Sequence, residues 1–291
     1  MQTSNEKQPL RPAQEQARPG LENLMEPKPL TEPAPATEAP SQKLKNKVAV
    51  ITGGDSGIGK AVALLFAKEG ADIAIIYLNE HEDAEETKRI IESEYFRKCI
   101  LFPTDISVDN NCKTVMEQIS HYWPQIDILV NNAAIHFESK SLEDISTEQL
   151  IKTFSTNIFS YFWITKYALP SMPKGSSIIN TSSVVAYRGS SSLIDYAATK
   201  GAIVSFTRSL SSNLIEKGIR VNGVAPGPIW TPLIPSSFEA DKASEHGSDV
   251  PMKRAGEPVE VAPSFLFLAS SDSSYITGQF IHPNGGEIIN G

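Results

Sequence analysis

The chain has 291 residues, 40% of them hydrophobic and 21% charged, with a formal net charge of −8 at pH 7. That is ordinary globular composition; its acidity argues against nucleic acid or an anionic membrane surface as the main partner, and no apolar run approaches the roughly 20 residues that span a bilayer. The N-terminus lacks an apolar signal-like stretch, and Cys99 and Cys112 have neither metal-ligand spacing nor a second pair, so a reducing, cytoplasmic setting with free thiols is expected.

Residues 1–43 are rich in Pro, Glu, Gln and Ala and poor in aromatics, a composition of extended or disordered chain. They read as an N-terminal extension that either packs along the body or a neighbouring subunit, or only solubilises. Residues 44–291 read as one domain. VAVIT (48–52) has strand length, GGDSGIG (53–59) is glycine-rich, and KAVALLFAKEG (60–70) is an amphipathic helix stopped at Gly70. Strands ADIAIIYL (71–78), KCILFPTD (98–105) and IDILVNNAA (126–134) alternate with helices DAEETKRIIESEY (83–95) and NCKTVMEQISHYW (111–123). One long helix is expected over 146–172, a strand over 176–183, and a long helix over 196–218. RVNGVAPG (220–227) is a strand with its exit loop, 259–270 a helix, and QFIHPNGG (279–286) holds the last strand. Apolar strands alternating with helices imply an α/β fold: a doubly wound, mostly parallel sheet of about seven strands.

The loop Thr52-Gly53-Gly54-Asp55-Ser56-Gly57-Ile58-Gly59 stands between the first strand and the first helix. Glycine permits a sharp turn and close ligand approach, and the helix start turns free N–H groups and a positive dipole end toward an anion. A βαβ unit opening this way reads as a dinucleotide site. The spacing Thr-Gly-x3-Gly-x-Gly resembles that of the short-chain dehydrogenases/reductases. Further landmarks follow in order: Asp105, Asn131-Asn132-Ala133-Ala134, Asn157, Ser183, Tyr196-x3-Lys200 and Pro226-Gly227. With GGDSGIG, DYAATK and APGPIWT, the chain is most similar to a bacterial branch of aldehyde reductases and stress-associated homologues.

The resemblance implies a Rossmann fold, a catalytic set of Asn157, Ser183, Tyr196 and Lys200, and hydride transfer between nicotinamide and a carbonyl or alcohol. Tyr196 and Lys200 lie four apart, on one face of a helix. A phenol titrates near 10, and a nearby cation is expected to favour its phenolate, bringing the group closer to working pH. Ser183 is expected to donate to a substrate carbonyl. Asn157 is a poor interior helix residue; the family's reason for it is a kink and a relayed proton. The resemblance adds cofactor contacts at Gly53, Asp55, Ser56, Gly57, Ile58 and Gly59 of the loop, Tyr77 and Leu78 after the second strand, and Asp105 and Ile106 at the adenine. It further implies Asn132, Ala133 and Ala134 along the ribose, Thr181 below the nicotinamide, and Pro226, Gly227, Ile229 and Thr231 at the carboxamide. Ala134 departs from the family's usual glycine.

The position that carries an acid in NAD-selective relatives is Tyr77, followed by Leu78, and the position often basic for NADP is Ser56. Asp55 and Glu80 add negative charge against a 2′-phosphate, so the sequence leans to NAD, with NADP the other candidate. The partner is a small or medium aldehyde, ketone or sugar-like alcohol; the aromatic run NIFSYFWITKY and the resemblance imply a homotetramer. The five histidines have no metal-ligand spacing, so no metal is expected; His136, which follows NNAA, reads either as a substrate contact or, preferred, as a loop histidine without a role. The polar, Pro-bounded stretch around 233–250 is expected to form a mobile lid. The alternatives are a 3-oxoacyl thioester reductase, which the acidic balance does not favour, and a non-catalytic dinucleotide sensor, which the intact catalytic set does not favour. Enoyl reduction is disfavoured because that branch usually spaces its Tyr and Lys wider.

Overall fold

Seven short strands, largely apolar from β1 to β4 and carrying the buried polar residues Asn180 and Asn222 in β5 and β6, form one parallel sheet in the order β3-β2-β1-β4-β5-β6-β7. They are β1 Val48–Thr52, β2 Asp72–Tyr77, β3 Cys99–Pro103, β4 Ile128–Asn131, β5 Ser177–Thr181, β6 Arg220–Val224 and β7 Phe280–Ile281. In this computed structural model residues 9–32 and 41–289 are described; the parts of the extension at 1–8 and 33–40, and the last two residues, lie outside the described residues. Continuous apolar strands require cover on both faces. Helices α1 (Gly57–Lys68), α2 (His81–Glu94) and α9 (Pro258–Ala269) supply one face, where Phe66, Phe265 and Leu268 are buried with Ile51, Ile73 and Ile75. On the other, α3 (Asp109–Tyr122), α5 (Ser160–Ala168) and α7 (Ile194–Leu214) bury Met116, Ile164 and Leu214 against Val50, Leu129 and Ile178. Cys99 and Cys112 are buried free thiols on opposite faces.

The strand order reverses between β1 and β4, and ligands of such sheets bind in the crevice outside the strand ends at that point. The long helix expected over 146–172 is broken. It comprises α4 (Thr147–Phe154), a π-helical turn at Ser155–Phe159 and then α5. The last strand is shorter than expected, only Phe280–Ile281, since Pro283 has no N–H to continue the ladder. The remaining helices are α4, α6 (Val185–Arg188) and α8 (Ala240–Ser244); α8 lies in the stretch expected to be a lid.

The described part of the extension is ordered against the body. Leu10 and Arg11 N–H groups reach Ser244 O, and Gln16 N–H reaches Pro235 O. Met25 is buried in a small cluster with Trp230, Ile234, Ala243 and Ala255, while Trp230 Nε1 donates to Pro27 O at 2.9 Å. Arg11 pairs with Glu257 and lies over the Trp230 ring. A composition that cannot build its own core has instead borrowed one from residues 230–255.

Candidate active site

The glycine loop is fixed by close backbone approach. Gly53 holds φ +63°, and a Cβ on Gly59 would stand 1.8 Å from Gly53 O, so neither position tolerates a side chain without moving the loop. Thr52 Oγ1 accepts from Asn132 N at 2.9 Å and Ala133 N at 3.1 Å, and Asn132 Nδ2 donates to Gly53 O at 3.2 Å. These bonds tie the exits of β1 and β4 together. Thr181 Oγ1 donates to Asn132 Oδ1 at 3.3 Å, adding the exit of β5. Gly57 lies beside Thr231, which a Cβ would meet at 3.1 Å. The expected residues Gly53, Gly57, Asn132, Ala133, Thr181 and Thr231 are thus brought to one crevice, with Ile58, Ala134, Pro226, Gly227 and Ile229 on the same loops. Ile106 is buried at the exit of β3, whereas Asp105 and Leu78 are exposed at its margin.

Lys200 is 1% exposed, and its Nζ donates to Thr181 O at 2.8 Å. An ammonium has three donors, so the one described bond leaves capacity suited to the hydroxyls of a nicotinamide ribose. With the Gly53–Gly59 cradle, this makes the crevice a fit for a dinucleotide. Lys200 Nζ also lies 5.4 Å from the Tyr196 ring centroid, and the Ser183 hydroxyl is near enough to the Tyr196 phenol to favour its ionised form. Tyr196, Ser183 and Lys200 therefore meet as the sequence implied.

The electrostatics differ from expectation. Burial pushes the Tyr196 phenol up to about 12, the Ser183 hydroxyl opposing it, and burial pulls Lys200 down to about 7. Removal from water disfavours both charged forms. Without further positive charge the phenol is neutral at working pH, ready to give a proton rather than take one.

Asn157 sits in the π turn, fully buried. Its Oδ1 accepts from Ile135 N at 2.8 Å, and its Nδ2 donates to Ile135 O at 2.8 Å and to Thr199 Oγ1 at 3.3 Å. It clamps the loop after β4 to the helix turn before Lys200, and its described bonds do not include Lys200 itself. π-turns recur at functional sites because they redirect one side chain.

Residues 53–287 match the family model described as enoyl-(acyl carrier protein) reductase. The chain is 54% identical to the NADPH-dependent aldehyde reductase 1, chloroplastic, of Arabidopsis thaliana, over 94% of this chain and 96% of that one. It is 51% identical to the glucose and ribitol dehydrogenase of Daucus carota, over 96% and 97%. A short-chain dehydrogenase from Burkholderia cenocepacia J2315, solved in complex with NADP, superposes with a TM-score of 0.79 at 29% identity, covering 84% of this chain and 98% of that one. The chain belongs to the short-chain dehydrogenase/reductase family. It is an oxidoreductase of that family, and no helix among its described residues is long and apolar enough to cross a membrane.

Three residues of this dehydrogenase/reductase matter beyond the sequence reading. Asp195 is 2% exposed; its carboxylate accepts from Thr153 Oγ1 at 2.8 Å, Gln149 Nε2 at 3.1 Å and Tyr196 N at 2.8 Å. It docks α4 onto the start of α7 and so orients Tyr196. Glu22 of the extension is 5% exposed; it accepts from Gly57 N at 2.8 Å and from Lys60 Nζ at 2.7 Å, capping α1 from outside the domain. His136 packs against Tyr196. The pattern at Asp195 could have been read as an acidic residue in the first turn of a helix, and His136 is marked by its place after NNAA; nothing local marks Glu22.

Proposed function

We propose that this protein is an NAD(P)-dependent carbonyl reductase or alcohol dehydrogenase for small to medium aldehydes, ketones or sugar-like alcohols. The observation that carries the reading is the Ser183–Tyr196–Lys200 cluster at the switch-point crevice, with its phenol neutral. A bound nicotinamide would supply or take the hydride. Tyr196 gives its phenolic proton to the developing alkoxide, Ser183 holds the same oxygen, and Lys200 holds the ribose and steadies charge on the phenol. In the reverse direction the phenolate takes the alcohol proton, and charge delivered beside it is needed to bring the phenol down from about 12.

NAD is the preferred cofactor in this reading. At the 2′ corner, Tyr77 OH is bonded to His81 Nδ1 at 2.8 Å, Glu80 is buried, and Lys60 is committed to Glu22. The one cation in the loop and the first turn of α1 is thereby not free to meet a 2′-phosphate. NADP is the second reading, favoured by the NADPH dependence of the Arabidopsis relative and by Asp55, whose burial beside Glu80 raises its carboxyl to about 7 and weakens its repulsion. A panel of aldehydes, ketones and polyols with both cofactors, read at the nicotinamide absorbance, tests both points. Turnover with a lower KM for NADH is expected, and a lower KM for NADPH reverses the cofactor choice. A homotetramer in the cytoplasm completes the reading, supported by Leu150, Ile151, Phe159 and Phe162, all exposed on the α4–α5 segment.

A further inference from the structure

His136 follows Ile135, whose N–H and C=O are both held by Asn157, so its backbone is set by the same clamp that shapes the site. Its ring is 3% exposed. One side meets Tyr196 edge-on at 5.1 Å between centroids, and another meets Phe238, in the loop over the site, at 5.2 Å. Its Nδ1 is buried with no hydrogen-bond partner among the described residues. Core histidines ordinarily satisfy both ring nitrogens, because an unpaired buried polar atom is costly. Here the unpaired nitrogen belongs to a ring in contact with the proton-donating phenol.

We propose that His136 is a specificity-determining residue that hydrogen-bonds a substrate hydroxyl next to the reacting carbonyl, so that the enzyme selects hydroxylated aldehydes over plain ones of the same length. The proposal rests on the carbonyl-reductase reading above. Burial, aided by the nearby His246, Arg18, Lys200 and Lys242, lowers the ring to about 3. The imidazole is therefore neutral through the working range and offers one donor and one acceptor. It acts as a fixed polar contact, and selection does not depend on its titration. Sites built to bond a hydroxyl discriminate against its absence because their own polar group is otherwise left unpaired.

The test compares glyceraldehyde with propanal, both three carbons long, for the full-length wild type, His136→Phe and His136→Gln. Cofactor binding is followed separately by nicotinamide fluorescence. Wild type is expected to favour glyceraldehyde. His136→Phe should lower kcat/KM for glyceraldehyde by about 10- to 100-fold, chiefly through KM, while losing no more than about threefold on propanal. His136→Gln, which keeps a donor and an acceptor, should recover most of the preference, and it carries the test alone if the Phe variant does not fold. Equal losses on the two aldehydes in the Gln variant, or an unaltered preference in the Phe variant, would overturn the assignment. A wild type that binds cofactor but reduces neither aldehyde overturns the carbonyl-reductase reading, and this proposal with it.

Discussion

The sheet and the extension that lies on it are held by opposite means. The sheet buries Val, Ile, Leu and Phe on both faces, with helix ridges packed over each strand. Residues 9–32 bury little apolar surface beyond Met25 and cling by backbone donors and charges: Glu22 to Gly57 and Lys60, Arg11 to Glu257, Glu15 to Ala240 N, and Arg18 over the Phe137 ring. Burial is non-directional and tolerant; polar clasps are directional and fail when one partner is lost. The body therefore sets whether the protein folds, and the extension sets how tightly the loop near 232–250 and the glycine loop are held.

The largest expected effect lies wholly in the body. Tyr196→Phe should lower kcat by roughly 10²- to 10⁴-fold and leave cofactor binding and the melting temperature nearly unaltered; near-normal turnover would remove Tyr196 from the chemistry. Next is the extension as a whole. Removing residues 1–32 should leave the far-UV spectrum intact and raise the substrate KM by about tenfold as the loop loses its backbone partners. An unchanged KM in steady-state assays would make the extension an ornament. Smaller again is the single clasp. Glu22→Ala strands Lys60, whose side chain is 10% exposed, and should cost about 3 kcal/mol by denaturant unfolding. Adding Lys60→Met should recover more than half, and no recovery would mean that Glu22 acts through Gly57 instead. The smallest is Arg89→Ala on the exposed face of α2, where losing the pair with Glu86 should leave the denaturation midpoint unchanged within error.

Much of this was legible in the sequence because the signals are local. VAVIT, GGDSGIG and the following helix carry their apolar run, turn residues and dipole within about twenty positions, and β1, the loop and α1 stand where that pattern put them. The Tyr196–Lys200 pair is likewise one helix turn. What escaped depends on distant partners. The resemblance implied a kink at Asn157, but not the π turn it takes or the grip of its amide on Ile135, 22 positions earlier. The place of His136 after NNAA already allowed a substrate contact, but only folding brings its ring to Tyr196. Glu22 lies in a stretch whose composition argues for disorder, and its partners are 35 and 38 positions away. The raised phenol is also a tertiary result: spacing supplies the lysine, but only the closed site supplies the loss of water.

The pairing of Arg11 with Glu257 spans 246 positions, and this bears on synthesis. At 5–20 residues per second the ribosome takes roughly 12–50 s to make that stretch. Arg11 is thus made long before its partner Glu257 and is among the last residues to find its place. A chain rich in Pro, Glu and Gln can wait in water without capturing the wrong apolar surface. Its arrival at the start of α9 then marks a polypeptide in which all seven strands but β7 are already made.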